Sequence, residues 1–140
     1  MASSLLGMTR RVIDMIEALF NQPNYLAANK ALDAVVLREG AIANNIANLE
    51  TPGYKRIDLA PSFETELERA TASRDPQQIN ALQPALAVDT TAVSGSRDGN
   101  TVHLENELMQ MNQNAMTHAL ETQLISGMLS RMQMAITGKD

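Results

Sequence analysis

Along the C-terminal part of the chain one row of side chains recurs at steps of four and three: Leu104, Leu108, Met111, Ala115, His118, Thr122, Ile125, Leu129, Met132 and Ile136. Kept up for more than four heptads, that spacing suits a long helix laid against another helix, because side chains seven residues apart return to the same face after two turns. Met116, Leu120, Leu124 and Met128 add a flanking row. Asp98-Gly99-Asn100-Thr101 supplies turn and cap chemistry ahead of the helix, and Glu105 and Glu107 fall near its positive end. Gly138 supplies the stop, with Arg131 and Lys139 near the negative end.

A second amphipathic pattern covers residues 25–48. Ala28, Leu32, Val35, Ile42, Ile46 and Leu49 form its stripe, widened by Val36 and Ala43 and interrupted by Glu39. It runs into an Asn-rich end, Asn44, Asn45 and Asn48, and then into Thr51-Pro52-Gly53-Tyr54. Pro52 fixes its own φ and pushes Thr51 out of the helical region, while Gly53 can take positive φ, so the pair suits the centre of a type II turn. Burying one Leu, Ile or Met contributes roughly 1.5–3 kcal/mol, so two long apolar rows need cover. The simplest arrangement packs 25–49 against 102–136. The expected fold is all-α: two long N- and C-terminal helices packing as a coiled coil, with a long irregular or disordered middle segment. Apolar residues beyond one stripe point to further contacts with neighbouring copies or partners.

The expected organisation has four parts. Residues 1–24 form an N-terminal extension with a short amphipathic helix over 5–20, broken at Gln22-Pro23-Asn24. Residues 25–54 hold the first main helix and its turn, 55–100 a variable, flexible middle, and 101–140 the heptad helix. The middle has Pro61, Pro76 and Pro84, a Ser-Gly-Ser-Arg-Asp-Gly-Asn run at 94–100, and weak periodicity. A short acidic helix at 62–72 and an extended segment at 85–93 are all that its pattern suggests.

Composition narrows the function. The 140 residues include two Phe, two Tyr, no Trp and nine Met. That favours thin helix–helix seams, to which flexible Met adapts, over a thick aromatic core. The net charge is −5 with no basic stripe, which argues against nucleic-acid binding. Thr9-Arg10-Arg11 resembles a twin-arginine export signal, but Asp14 and Glu17 interrupt the apolar stretch and no cleavage site follows, so a cleaved signal peptide is not expected. No run of about 18 apolar residues suggests a membrane span. Chemistry finds little support: His103 and His118 are the only histidines and lie too far apart on one helix to share a metal, there is no Cys, and Glu64, Glu66 and Glu68 read as a solvated face. No catalytic, metal or cofactor-binding residues are expected. Asn44, Asn45, Asn48, His118 and Thr122 are instead candidates for fixing the register between packed helices.

The string Asn44-Asn45-Ile46-Ala47-Asn48-Leu49-Glu50-Thr51-Pro52-Gly53-Tyr54 resembles the ANNxANxxTPGY signature of the bacterial flagellar basal-body rod and hook proteins. The plan of the chain resembles the small rod members of that family. Residues 102–109 are similar to the VDLExEM start of their last helix, and residues 132–138 to its end. His103 departs from the acidic residue expected there, the aromatic residue usual in the middle of the last helix is absent, and residues 1–14 look like an extension, with Met15 as the natural start. The resemblance implies a non-enzymatic proximal-rod subunit, exported unfolded and uncleaved by the flagellar type III apparatus and assembled into the periplasm-spanning axial drive shaft. Implied partners are further copies of itself, FlgC-like rod subunits, the adaptor FliE and the export apparatus.

A FlgC-like rod protein is the nearest alternative, and a cytosolic helical adaptor or secretion chaperone is an alternative of another class. A chaperone would be a stably folded dimer and has no use for the Thr-Pro-Gly-Tyr string. Candidate assembly residues are thus Asn44, Asn45, Ile46, Asn48, Thr51, Pro52, Gly53 and Tyr54 in the motif, with Leu32, Val35, Ile42, Leu104, Leu108, Met111, Ile125, Leu129, Met132 and Ile136 in the seam. On this reading, replacing Leu108 and Ile125 with Asp blocks assembly and leaves export largely intact. Equal loss of export, measured in the secreted fraction, would contradict the seam reading.

Overall fold

A computed structural model describes residues 14, 17, 18, 20–95 and 97–138. The elements run α1 (Pro23–Ala47), β1 (Ile57–Leu59), α2 (Ser62–Ser73), α3 (Pro76–Ala81), β2 (Leu86–Val88) and α4 (Leu104–Thr137). Most of the helix expected over residues 5–20 lies outside the described residues. No helix among the described residues is long and apolar enough to cross a membrane.

Pro23 opens α1 at its first turn, where a missing N–H leaves nothing unpaired. Gly138 closes α4 at φ 63°, its N–H donating to Met134 O at 2.9 Å. The two long helices run antiparallel, side by side. Asn45 near the end of α1 meets Glu107 near the start of α4, and Asn114 further along α4 reaches back to Val35.

The middle of the chain is folded, which corrects the expectation of a disordered segment. β1 and β2 pair antiparallel in the register Ile57↔Val88, Asp58↔Ala87, Leu59↔Leu86. Leu59 and Phe63 pack on Ala34 of α1, with Leu37, Leu67 and Leu82 around them. The prolines delimit elements and do not break them: Pro61 precedes α2, and Pro76 starts α3 behind an Asp75 cap that accepts from Gln77 N–H. α1 is therefore covered by α4 on one side and by this small β-α-α-β layer on the other. Residues 82–85, 89–95 and 97–103 are irregular.

A second correction concerns the rotation of α4. On α1, Val35 and Ile42 are buried and Leu32 is half-buried. On α4, however, Leu104, Leu108, Met111, Leu129 and Ile136 are exposed, Ile125 is half-buried, and only Met132 of the expected seam is buried. The face turned to α1 runs through Glu107, Asn114, Glu121, Ile125, Met128 and Met132, largely one residue before the heptad row and so about 100° round the helix. This rotation brings the Glu107 carboxylate inward onto Arg56 and Asn45, and with the helix so placed the loss of either partner costs about 3–5 kcal/mol.

Phe63 is the large side chain at the centre of the small layer. Phe63→Ala is expected to lower stability by about 3–5 kcal/mol, measured as a shift in the urea midpoint by circular dichroism. An unchanged midpoint would show that this layer contributes nothing to the fold.

Candidate assembly site at the motif turn

The end of α1 does more than stop a helix. Asn48 Nδ2 donates to Asn44 O at 2.8 Å, and Thr51 Oγ1 donates to Asn48 Oδ1 at 3.2 Å. The turn over residues 51–54 closes with Tyr54 N–H donating to Thr51 O at 3.2 Å, and Gly53 sits at φ 72°, the left-handed value a type II turn requires there.

Asn45 is the motif residue that faces inward, with 0% exposure. Its Oδ1 accepts from Ile57 N–H at 3.0 Å and its Nδ2 donates to Ile57 O at 2.8 Å, so the side chain takes the place of a neighbouring strand on the outer edge of β1. The same Nδ2 donates to Glu107 Oε2 at 3.1 Å, and Tyr54 OH donates to Asn45 Oδ1 at 3.4 Å. Glu107 is also at 0% exposure, and its other oxygen accepts from Arg56 Nε at 2.6 Å. Arg56 then pairs with Asp89 at 2.8 Å and Asp58 at 2.8 Å. Burial works against the Arg56 charge, but the hydrogen bonds and charges of Glu107 and Asp58 outweigh it and hold the guanidinium protonated above its ordinary value. The bonds from the Thr91 hydroxyl, against some desolvation, and then from Thr91 N–H and Arg56 hold the Asp89 carboxyl below its usual range. Three carboxylates converge on one guanidinium, and both Glu107 oxygens are bonded.

Asn100 locks the turn from the other side. Its Nδ2 lies 2.9, 3.0 and 2.9 Å from the carbonyl oxygens of Asn48, Leu49 and Thr51, sharing two hydrogens among carbonyls that follow the end of α1. Its Oδ1 accepts from Val102 N–H at 2.8 Å. Gly53 N–H donates to Asp98 O at 2.9 Å, Thr101 N–H to Tyr54 O at 3.1 Å, and Arg56 N–H to Thr101 Oγ1 at 2.9 Å. The motif turn and the start of α4 are thereby clasped together.

Of the motif residues, Asn45 is buried, Ile46, Asn48 and Tyr54 are half-buried, and Asn44, Thr51, Pro52 and Gly53 are exposed. His118 and Thr122 are exposed and hold no register. Arg56, Asn100, Glu107 and Asn114 carry the buried polar contacts instead, and sequence reasoning misses them as a group. Glu107 reads locally as a helix-dipole charge and Asn100 as a cap for α4. Their partners lie 51 and about 50 residues away along the chain.

A model of the family described as "Flagella basal body rod protein" matches residues 40–55, the end of α1 and the whole motif turn. Over 117 residues the chain is 33% identical to the flagellar basal body rod protein FlgB of Cereibacter sphaeroides, covering 76% of this chain and 90% of that protein. With the FlgB of Borrelia hermsii it shares 30% over 115 residues, 69% of this chain and 83% of the relative. With that of Escherichia coli K12 it shares 29% over 119 residues, 74% and 85% of the two chains. This chain belongs to the FlgB family of flagellar basal body rod proteins. The family match ends one residue before Arg56, so in this FlgB-family chain the matched segment supplies Asn45 and Tyr54 to the clasp and the following segments supply the charges.

Arg56→Ala leaves Glu107 buried without its cation, and is expected to cost about 3–5 kcal/mol in a urea melt. Replacing Arg56 and Glu107 together with Met is expected to recover much of that loss; a double variant as unstable as the single would contradict the buried-charge argument. The pH response has a definite sign. A carboxyl held below its ordinary value stabilises the fold above that value and loses its contribution as pH falls through the lowered one. The stability gap between wild type and Asp89→Asn is therefore expected to close as pH drops below the ordinary 3.8. A constant gap would contradict the assignment.

Proposed function

We propose that the chain is a structural subunit of the proximal part of the flagellar rod. One observation carries this: a member of a rod family shows water a long apolar row on its longest helix. Leu104, Leu108, Met111, Leu129 and Ile136 are all exposed, and apolar side chains lined up along one helix face mark a surface for another protein to cover. Neighbouring subunits in the axial structure supply the missing cover, and the helix pair completes its coiled-coil packing with them. The clasp at the motif turn holds α4 so that this row faces outward.

The proposed partners are further copies of this chain, FlgC-like rod subunits and the adaptor FliE. The subunit reaches them through the flagellar type III apparatus, without a cleaved signal peptide, and takes its place in the part of the rod that crosses the periplasm. Its role is mechanical, not enzymatic.

Leu108 and Leu129 are both exposed, so Asp at these positions leaves the subunit folded. In cells relying on this chain, the Leu108→Asp/Leu129→Asp variant is expected to abolish swimming. It should appear in the secreted fraction and be absent from purified basal bodies, with a circular dichroism spectrum equal to wild type. Normal swimming, or absence of the wild-type chain from purified basal bodies, would overturn the proposal.

A further inference from the structure

The small sheet has two outer edges, and they are treated differently. Asp89 N–H donates to Arg56 O at 2.9 Å and Ala60 N–H to Ala85 O at 2.8 Å. Bonded pairs alternate along an antiparallel ladder. With Asp58 opposite Ala87, the backbone polar groups of Ile57 therefore point away from β2, and those of Leu86 and Val88 away from β1. On the β1 side the Asn45 side chain takes both groups of Ile57. On the β2 side, among the described residues, nothing takes the groups of Leu86 and Val88. Residues 85–88 are all exposed, Leu86 at 36% and Val88 at 54%.

Open edges are usually blunted by a charge, a proline or a bulge, because they offer a template to another strand. Here Pro84 and Asp89 stand just outside, and the stretch between them, Ala85-Leu86-Ala87-Val88, carries neither charge nor proline.

We propose that this edge pairs with the same edge of a second copy, β2 against β2 about a two-fold axis at Ala87, so that the sheet continues as β1-β2-β2-β1. Two properties of the edge select a second copy as its occupant. The first is self-complementarity: laid antiparallel with Ala87 opposite Ala87, Leu86 of each copy meets Val88 of the other, and every open N–H in the stretch finds a carbonyl. The second is charge. The chain carries a net charge of −5, yet this stretch is uncharged, and the carboxylate next in sequence, Asp89, is held by Arg56 at 2.8 Å. Two copies thus meet there without like charges set opposite one another. Leu86 lies opposite the buried Leu59 and shares its side of the sheet with Val88, so each copy extends the other's apolar face. β2 has three residues, which makes the seam short and the dimer weak, forming as concentration rises. The contact is isologous and closes on itself. It describes the free subunit and is separate from the contacts of α4 in the rod.

The chain has no cysteine, so single substitutions report the register. Across the axis the two Ala87 Cα atoms form a non-hydrogen-bonded pair about 4.5 Å apart, within disulfide reach. Thr90, also exposed, would lie about 20 Å from its copy in this register. Under mild oxidation full-length Ala87→Cys is expected to form a disulfide dimer roughly tenfold or more faster than Thr90→Cys. The dimer is expected to persist in the Leu108→Asp/Leu129→Asp background, which removes association through α4. Val88→Pro deletes an N–H that points away from β1, and is expected to weaken dimerisation about tenfold by sedimentation. In the unsubstituted chain, hydrogen exchange at the Leu86 and Val88 amides is expected to slow as concentration rises. A chain that stays monomeric at its highest soluble concentration overturns the proposal. So do equal disulfide rates for the two cysteine variants, loss of the dimer in the α4 background, or Leu86 and Val88 amides whose exchange ignores concentration.

Discussion

The Glu107 carboxylate is taken wholly out of water between Arg56 and Asn45, and most of what is particular to this fold follows from that. A charge so placed is tolerated only while both oxygens are satisfied. Satisfying them brings together the end of α1, the residues after the motif turn and the first turns of α4. Asn45 also completes the edge of β1 through both polar groups of Ile57, so the same side chain that steadies the carboxylate ties the small sheet to the helix. The motif turn is the hinge pin of this arrangement. Gly53 at φ 72° lets the chain reverse tightly enough for Tyr54 and Arg56 to return to the helix they have just left.

Fixing α4 by a polar group near its start has a consequence for its whole length. A helix is stiff over several turns, so a rotation imposed at Glu107 carries along the axis. The polar residues Glu107, Asn114 and Glu121 recur every seven positions on the inward side, and the apolar row beside them is left to water. Away from the clasp the inward contacts become less complete: Asn114 Oδ1 and Glu121 Oε2 are buried without partners. The subunit is well determined at the motif end and under-determined along the rest of α4. That gradient suits a part whose other contacts come from neighbours.

Much of this architecture is legible in the sequence, and the illegible part has a clear cause. The α1 stripe and the Pro52-Gly53 turn are local patterns, and local patterns report local structure. The heptad row of α4 is equally plain, but periodicity records that a face is to be covered without recording by what. Rotation is decided by Arg56–Glu107 and Asn45–Glu107, which are 51 and 62 residues apart, and no window of a few turns contains either pair. Asn100 misleads similarly, since it reads as a cap for the helix after it yet serves carbonyls that follow the helix before it. In the middle segment Pro61 and Pro76 read as breakers when they start helices, and Leu59, Phe63 and Ile79 find their cover on α1 and not on one another's regular spacing.

The most direct test of the central claim, that the buried Glu107 cluster turns the apolar row of α4 outward, is hydroxyl-radical footprinting of the methionines. In the free full-length chain Met109, Met111 and Met116, at 51%, 44% and 69% exposure, are expected to oxidise quickly and Met132, at 7%, slowly. In purified basal bodies the first three are expected to become protected. Oxidation of Met111 in the free chain as slow as that of Met132 would mean that the heptad row already lies against α1 and would contradict the account.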